Sequence, residues 1–198
     1  MKTVRIVLQE SVSERDVDAA DWDNDWYLLK TIKGDENTPH EVIWKTEDDH
    51  SQAFIHYIED FYIDIANLVV RSDEPKTAIA EIRTSLQTHG EEEIYQMVKD
   101  AKNIEELVRA IYYVGLAAPQ QHDPEFFRLF KDVLSSSEPK ARRGAITEIG
   151  YMGWPEFNEM LENTKATDLE PDVRKDAEIM LKGFELHVLN QLKNTKKG

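Results

Sequence analysis

The chain has 198 residues, no cysteine, and 39 Asp and Glu against 24 Lys and Arg, which gives a net charge of −15. The absence of cysteine excludes a disulfide framework, a thiolate metal site and a cysteine nucleophile. Residues 1–100 hold 10 basic and 23 acidic side chains, whereas residues 101–198 hold 14 and 16. This acidity disfavours nucleic-acid binding, which requires a basic face, and favours attraction to basic partners.

The first third of the chain predicts β-strands. Val4, Ile6 and Leu8 alternate with polar residues, which is the period of a half-buried strand. Two further strands are predicted at 26–32 and 41–45, because apolar runs there are separated by a segment rich in turn-forming residues.

A hairpin is predicted next in the chain. Residues 53–58 and 61–70 are both apolar, and the two residues between them, Glu59 and Asp60, suit a tight turn. The second strand carries apolar residues on both faces, so we expect it to lie inside the sheet.

The segment 11–25 shows no apolar periodicity, so we expect a loop. It carries five aspartates: Asp16, Asp18, Asp21, Asp23 and Asp25. A calcium-binding EF-hand loop starting at Asp21 would need Gly at position 26 and Glu at position 32, but the chain has Trp26 and Ile32. We therefore expect a solvated acidic loop, whose simplest role is contact with a basic partner surface.

No motif indicates catalysis, a cofactor or a metal. The six histidines never occur at the i, i+4 spacing of a helical metal site, and nucleophile and phosphate-loop motifs are absent. We predict no catalytic residue, no cofactor and no metal ligand. No run approaches the roughly 18 apolar residues that cross a bilayer, so the expectation is a cytoplasmic protein without membrane contact.

From residue 73 onward the sequence predicts helices, about seven in all. Ser72-Asp73-Glu74-Pro75 has the chemistry of a helix start, and Gly90 is placed to end that helix in a left-handed conformation. Further helix starts are marked by Pro124, Pro139, Pro155 and Pro171. We therefore divide the chain into an antiparallel sheet region, 1–72, and a helical region, 73–198, and expect the two regions to pack as one unit.

Two sequence blocks recur in the helical region at intervals of 31 to 33 residues. The first block covers 93–100, 125–132 and, more weakly, 156–163. The second block covers 105–109, 138–142 and 170–174. Two blocks that share one period indicate stacked helical hairpins, because a single hairpin cannot bury its apolar face alone.

The second block resembles the second helix of a HEAT-like repeat, whose pattern runs Asp-x-x-Val-Arg-x-x-Ala with a leucine one turn later. The last copy carries this pattern as Val173, Arg174, Ala177 and Leu181. The middle copy has Ala141, Arg142 and Ala145, and the first copy has Tyr112 in place of the small alanine. The resemblance covers residues 91–184 and implies an α+β fold in which an N-terminal antiparallel sheet precedes a HEAT-like or armadillo-like α-solenoid.

In HEAT-like stacks an aspartate–arginine ladder often joins neighbouring repeats. The resemblance implies such a ladder for Arg109, Arg142 and Arg174, with Asp100, Asp132 and Asp168 in the preceding helix ends or turns. Arg143 has no counterpart in the other copies, so it is the better candidate for a partner contact. Trp154, between Gly153 and Pro155, is expected to seal the core.

These features favour a non-enzymatic protein–protein interaction module that binds another protein, with a basic partner favoured, and neither nucleic acid nor membrane. The chain resembles small acidic bacterial HEAT-like immunity or antitoxin-type proteins, which neutralise basic toxins. The alternative is a HEAT-like scaffold with enzymatic or nucleic-acid activity, as in DNA glycosylases and phycobilin lyases. The candidate partner-binding residues are the five aspartates of 11–25 and Arg143. The sequence leaves the oligomeric state and the role of the sheet open.

Overall fold

The computed structural model of the chain describes residues 1–46 and 52–195, with side chains described as far as residue 187. The fold is α+β, with a five-stranded antiparallel sheet followed by helices. Contacts within the chain divide it into two units, Met1–Ile94 and Tyr95–Gly198. The helix Lys76–Ser85, which the sequence pattern assigns to the helical region, lies in the first unit because Ala78 and Ile82 belong to the core of the sheet.

The first unit is built around the sheet. Its elements are β1 (Lys2–Val7), α1 (Glu14–Asp23), β2 (Tyr27–Ile32), β3 (His40–Lys45), β4 (Ala53–Asp60), β5 (Ile65–Ser72) and α2 (Lys76–Ser85). The strand order is β1-β5-β4-β3-β2, and all neighbouring strands are antiparallel. The predicted strands are confirmed, and β5 lies inside the sheet between β1 and β4.

One face of the sheet forms a core with α1 and α2. Trp44, Ile55 and Leu68 point to this face from β3, β4 and β5 and are fully buried, together with Val17 of α1 and Ile82 of α2. Burial of each such aliphatic side chain stabilises the fold by about 1.5–3 kcal/mol.

The expectation of a loop at 11–25 is wrong, because most of the segment forms α1. The helix begins after Ser13, whose backbone N–H and hydroxyl donate to Asp16 Oδ2 at 2.8 and 2.6 Å. Only Val17 and Ala20 of α1 are buried. This apolar stripe is too narrow to give a helical period in the sequence, and the helix depends on its contacts with the sheet.

The hairpin between β4 and β5 is confirmed, but its turn is not at Glu59 and Asp60. Strand β4 continues through both residues, and the turn is formed by residues 61–64. Asp64 has a left-handed backbone with φ of 55°, a conformation that Asp and Asn adopt more readily than other non-glycine residues.

The remaining elements are helical. They are α3 (Glu91–Asp100), α4 (Ile104–Ala117), α5 (Pro124–Leu134), α6 (Pro139–Met152), a 3-10 turn (Pro155–Phe157), α7 (Asn158–Thr167) and α8 (Pro171–Thr195). No strand occurs in 91–184, all of which the structure describes. Helix α6 packs against α4, α5 and α8, and α7 packs against α8.

The core of the second unit contains the residues that the repeated blocks place at equivalent positions. Ala145 of α6 and Ala177 of α8 are both fully buried. Trp154 is buried as expected, its Nε1 donates to the carbonyl of Pro119 at 3.2 Å, and its ring stacks on Phe157. The small side chains allow the helices to approach closely, and the aromatic rings fill the end of the hairpin.

The prediction that Gly90 ends a helix in a left-handed conformation is wrong. Helix α2 ends at Ser85, and Gly90 precedes α3, where its N–H donates to Glu93 Oε2 at 3.3 Å. The glycine with this role is Gly153, which caps α6 with φ of 66°.

Replacing Gly115 by alanine should destabilise the second unit. A Cβ at this position of α4 would overlap the Cβ and the carboxylate of Glu148, which is fully buried on α6. We expect the free energy of unfolding to fall by about 1–3 kcal/mol, as for other overpacked contacts. Urea unfolding followed by circular dichroism measures the change.

The matched control is Gly183→Ala in α8, where a Cβ would meet no atom within 4 Å. Alanine is favoured over glycine inside a helix by roughly 0.5–1 kcal/mol, so this variant should be as stable as the parent or more stable. Equal stability of the two variants would show that the contact between Gly115 and Glu148 is not tight.

Candidate functional site

Helix α1 is held on the first unit by the N–H groups of two buried tryptophans. Trp44 Nε1, on β3, donates to Asp21 Oδ2 of α1 at 2.6 Å. Trp26 Nε1, just after α1, donates to Glu81 Oε2 of α2 at 3.0 Å. A buried indole N–H requires an acceptor, so these bonds fix the position of α1 against both the sheet and α2.

Two of the five candidate aspartates have structural partners. Asp16 accepts both donors of Ser13, and the hydroxyl and then the backbone N–H of Ser13 lower the pKa of its carboxyl. Asp21 accepts the Trp44 indole. Both carboxylates therefore hold α1 in place and are less suited to contact a partner.

The other three aspartates, Asp18, Asp23 and Asp25, are exposed. Partial burial, followed by the neighbouring carboxylates of Glu14 and Asp21, raises the pKa of Asp18. Asp25 follows the helix in a left-handed conformation with φ of 54°. The structure therefore places three carboxylates on the outer side and the C-terminal end of α1.

An exposed tryptophan, which the sequence reasoning missed, lies among these carboxylates. Trp22 is 84% exposed and stands one helical turn after Asp18. Strand β2, at the edge of the sheet, follows with Tyr27, Leu28 and Leu29, each at least half exposed. Leu28 pairs with Trp44 and therefore lies on the face of the sheet that α1 covers, whereas Tyr27 pairs with Lys45 on the other face. We call the following set the α1–β2 surface: Asp18, Trp22, Asp23, Asp25 and Leu28. Recognising 14–23 as a helix would have placed Trp22 away from Val17 and Ala20.

Arg143, the candidate partner contact on the helices, is engaged in an ion pair. Its Nε lies 2.5 Å from Asp176 Oδ2, which joins α6 to α8, and its side chain is about half exposed. Lys140 Nζ, close by on α6, lies 3.3 Å from Glu105 Oε1 of α4. The positive charges of Lys140 and Arg143 are therefore largely offset by carboxylates.

The expected aspartate–arginine ladder is present at one position. Arg142 Nε and Nη2 donate to the two carboxylate oxygens of Asp168 at 2.7 and 2.8 Å, and both side chains are buried. Asp100 instead accepts from Gln96, and Arg109 Nε donates to the hydroxyl of Tyr113. The pair joins α6 to the turn that precedes α8.

A second arginine contact does repeat. Arg142 Nη1 donates to the carbonyls of Ser136 and Ser137, the residues six and five positions earlier. Arg174 Nη1 makes the same two bonds, to the carbonyls of Asp168 and Leu169. Each arginine therefore fixes the turn before its own helix.

A cavity of about 430 Å³ opens at one end of the sheet in the first unit. It is formed by the loop between β2 and β3, the end of β4 and the turn before β5. Four carboxylates line it, from Asp35, Glu59, Asp60 and Asp64, together with His40 and the rings of Tyr57 and Phe61. We call it the end cavity.

Two titratable groups of the end cavity, His40 and Tyr57, each pair with a carboxylate. His40 Nε2 lies 2.8 Å from Glu14 Oε2, and the hydroxyl of Tyr57 donates to Glu59 Oε1 at 3.2 Å. Burial, followed by the charge of Glu59, raises the pKa of Tyr57 well above its usual range. The phenol therefore stays protonated at neutral pH, and its O–H donates to Glu59.

The chain matches no known family model, and no match was found among curated proteins or solved structures. The HEAT-like resemblance therefore stays a prediction. Within the part of the chain that the structure describes, no helix combines the length and apolar character needed to cross a membrane. The same residues contain no cluster of three or more His, Asp or Glu side chains arranged to hold a metal ion.

Replacing Arg142 by methionine should destabilise the second unit far more than the same change at Arg143. Loss of Arg142 leaves the buried carboxylate of Asp168 without its partner, which costs about 3–5 kcal/mol in comparable pairs. The exposed pair of Arg143 should contribute less than about 1 kcal/mol. Chemical unfolding of both variants at pH 7 measures the difference, and equal losses would contradict it.

The effect of Arg142→Met should shrink in acid. Burial raises the pKa of Asp168, but the hydrogen bond and charge of Arg142 outweigh it, so the pKa lies below its usual value. A depressed carboxyl pKa contributes stability above the unfolded pKa, and this contribution is lost as the pH falls through the folded pKa. The stability difference between parent and variant should therefore be largest at neutral pH and decrease below about pH 4.

Proposed function

We propose that the chain is a non-enzymatic protein-binding module that associates with a basic partner protein through the α1–β2 surface. The observation that carries the proposal is Trp22, which is 84% exposed among three exposed aspartates. Tryptophan is highly buried on average, and it is enriched among the residues that dominate binding at the centres of protein interfaces. Leu28, on the face of the sheet that α1 covers, is 57% exposed and adds apolar area on the same side.

The anchoring of α1 supports this proposal. Asp21 is bonded to Trp44 of the sheet, and Asn24 Nδ2, at the end of the helix, donates to Ser85 Oγ of α2 at 2.9 Å. The backbone beneath Trp22 is therefore held in place before a partner arrives. A preorganised surface loses less conformational entropy on binding than a flexible loop.

Charge determines which kind of partner suits this surface. The exposed carboxylates of Asp18, Asp23 and Asp25 lie in a half of the chain that holds 23 acidic and 10 basic residues. This field attracts a basic protein and repels a second copy of the chain, because two copies would bring like charges together. We include in this proposal an immunity or antitoxin-type role in the cytoplasm, in which the basic partner is a toxin that the chain neutralises.

We further propose that the second unit is a short HEAT-like α-solenoid. Helices α4, α6 and α8 carry the second repeated block, and α6 packs against both α4 and α8. Arg142 and Arg174 make the same contacts in successive repeats. Stacked hairpins of this kind offer an extended surface, which suits protein recognition.

The experiment starts from the partner captured from the native host and identified by mass spectrometry. The triple variant Asp18→Asn, Asp23→Asn and Asp25→Asn should lower its association rate several-fold at low salt and flatten the salt dependence, because long-range attraction acts on encounter. Trp22→Ala should mainly raise the dissociation rate and weaken binding by at least about tenfold. Asp16 and Asp21 stay unchanged, so that α1 remains folded.

The matched control neutralises Glu156, Glu159 and Glu162, which are exposed on the second unit, by changing each to Gln. This variant has the same net charge as the aspartate variant but keeps the α1–β2 surface. Equal kinetic effects of the two triple variants, or unchanged binding by Trp22→Ala, would contradict the proposed surface.

The alternative is an enzymatic or nucleic-acid role on the same scaffold, for example one similar to a DNA glycosylase. Such a role requires a basic groove, but Lys140, Arg142 and Arg143 each face a carboxylate. We expect no retention of duplex DNA below micromolar concentrations at about 0.15 M salt, because typical nonspecific binders reach about 10⁻⁴–10⁻⁶ M. Fluorescence anisotropy with labelled duplex measures this, and sub-micromolar binding would favour the alternative.

A further inference from the structure

The end cavity is an open cleft with the volume of a ligand site. Its volume of about 430 Å³ lies within the range of roughly 300–1,000 Å³ that is typical of small-molecule pockets. One wall depends on Gly34, because a Cβ there would lie 2.8 Å from the backbone nitrogen of His40. This close approach holds the β2–β3 loop against the start of β3 and shapes the cavity.

The charge of the lining selects a cationic occupant. Asp35, Glu59, Asp60 and Asp64 line the cavity. Among the described lining residues, the one side chain that could carry a positive charge is His40, which is already paired with Glu14. Carboxylates on the walls of a concave site focus a negative potential inside it, which attracts cations and repels phosphates and carboxylates.

An exposed aromatic ring narrows the class of cation. Phe61 lines the cavity beside the carboxylates and is 44% exposed, whereas Tyr57, which also lines it, is 2% exposed and belongs to the core. A guanidinium group stacks on an aromatic ring, forms paired hydrogen bonds with carboxylates and is less strongly hydrated than an ammonium group. A lining that combines an exposed ring with carboxylates therefore fits arginine better than lysine.

We infer that the end cavity binds the guanidinium group of an arginine side chain on the partner protein. This inference rests on the proposed function and specifies the residue by which the basic partner is recognised. Glu14, which pairs with His40 at the cavity, belongs to the first turn of α1. One helix therefore connects the end cavity to the α1–β2 surface.

The probe is N-acetyl-arginine amide, titrated into the ¹⁵N-labelled full chain and followed by two-dimensional NMR. Its neutral isostere, N-acetyl-citrulline amide, is the matched control. We expect the arginine compound to shift the amide signals of 34–40 and 59–66 at least threefold more than the citrulline compound at equal concentration. Absence of shifts in these segments, or equal shifts by the two compounds, would overturn the inference.

Two pairs of variants test whether the cavity itself is responsible. Glu59→Gln with Asp64→Asn removes two charges from the lining, and asparagine is tolerated at the left-handed backbone of Asp64. The dissociation constant for N-acetyl-arginine amide should rise at least fivefold. Glu156→Gln with Glu159→Gln removes the same charge on the exposed face of the second unit and should change it less than twofold. An equal effect of both pairs would mean that net charge alone accounts for the binding, and it would refute a site in the end cavity.

Two further ligands test which kind of cation the end cavity binds. N-acetyl-lysine amide should bind more weakly than the arginine compound, and binding as tight or tighter would refute the choice of guanidinium. Spermidine should not shift the cavity amides at lower concentrations than the arginine compound. If it does, the cavity takes a free polyamine and the inference is wrong.

Failure of this inference can be told apart from failure of the proposed function. If α1–β2 variants weaken partner binding but arginine amide leaves the cavity unaffected, the proposed function stands and the inference fails. If arginine amide binds the cavity but α1–β2 variants bind the partner normally, the α1–β2 surface fails and the cavity site stands.

Discussion

The burial of the Trp44 indole is the constraint on which the first unit depends. Its N–H lies in the core of the sheet, where a donor without an acceptor would cost about 1–3 kcal/mol. Asp21 supplies the acceptor, so α1 must present this residue to the sheet. The next residue along the helix is Trp22, which is rotated by about 100° about the helix axis and faces solvent. The exposure of one tryptophan therefore follows from the burial of another.

Much of the fold could be predicted because most of its strands and helices are marked in the sequence by apolar patterns or by prolines at helix starts. Strand β1 alternates apolar and polar residues, β5 is apolar on both faces as an inner strand should be, and the helix starts at Pro124, Pro139 and Pro171 agree with the structure. Helix α1 could not be predicted in this way, since it buries only two small or medium side chains. Its stability comes from partners distant in the sequence, such as Trp44 and Glu81, which no local pattern reveals.

The candidate site was less predictable than the fold. The five aspartates were identified by composition, but composition does not separate Asp16 and Asp21, which accept hydrogen bonds from neighbouring donors, from the other three. The end cavity was missed because its lining comes from residues between 34 and 66 on separate strands and loops. Only the register of β3, β4 and β5 brings them together at one end of the sheet.

The acidity of the first unit therefore serves two physical purposes. Carboxylates such as Asp21 and Glu81 satisfy the N–H groups of buried tryptophans, and their loss would leave donors unpaired in the core. Carboxylates such as Asp18 and Asp23 face water, where they add little to stability and act mainly through their long-range field. The net charge of the chain thus overstates the charge available to a partner. What a partner meets is the smaller set of carboxylates that the fold does not itself require.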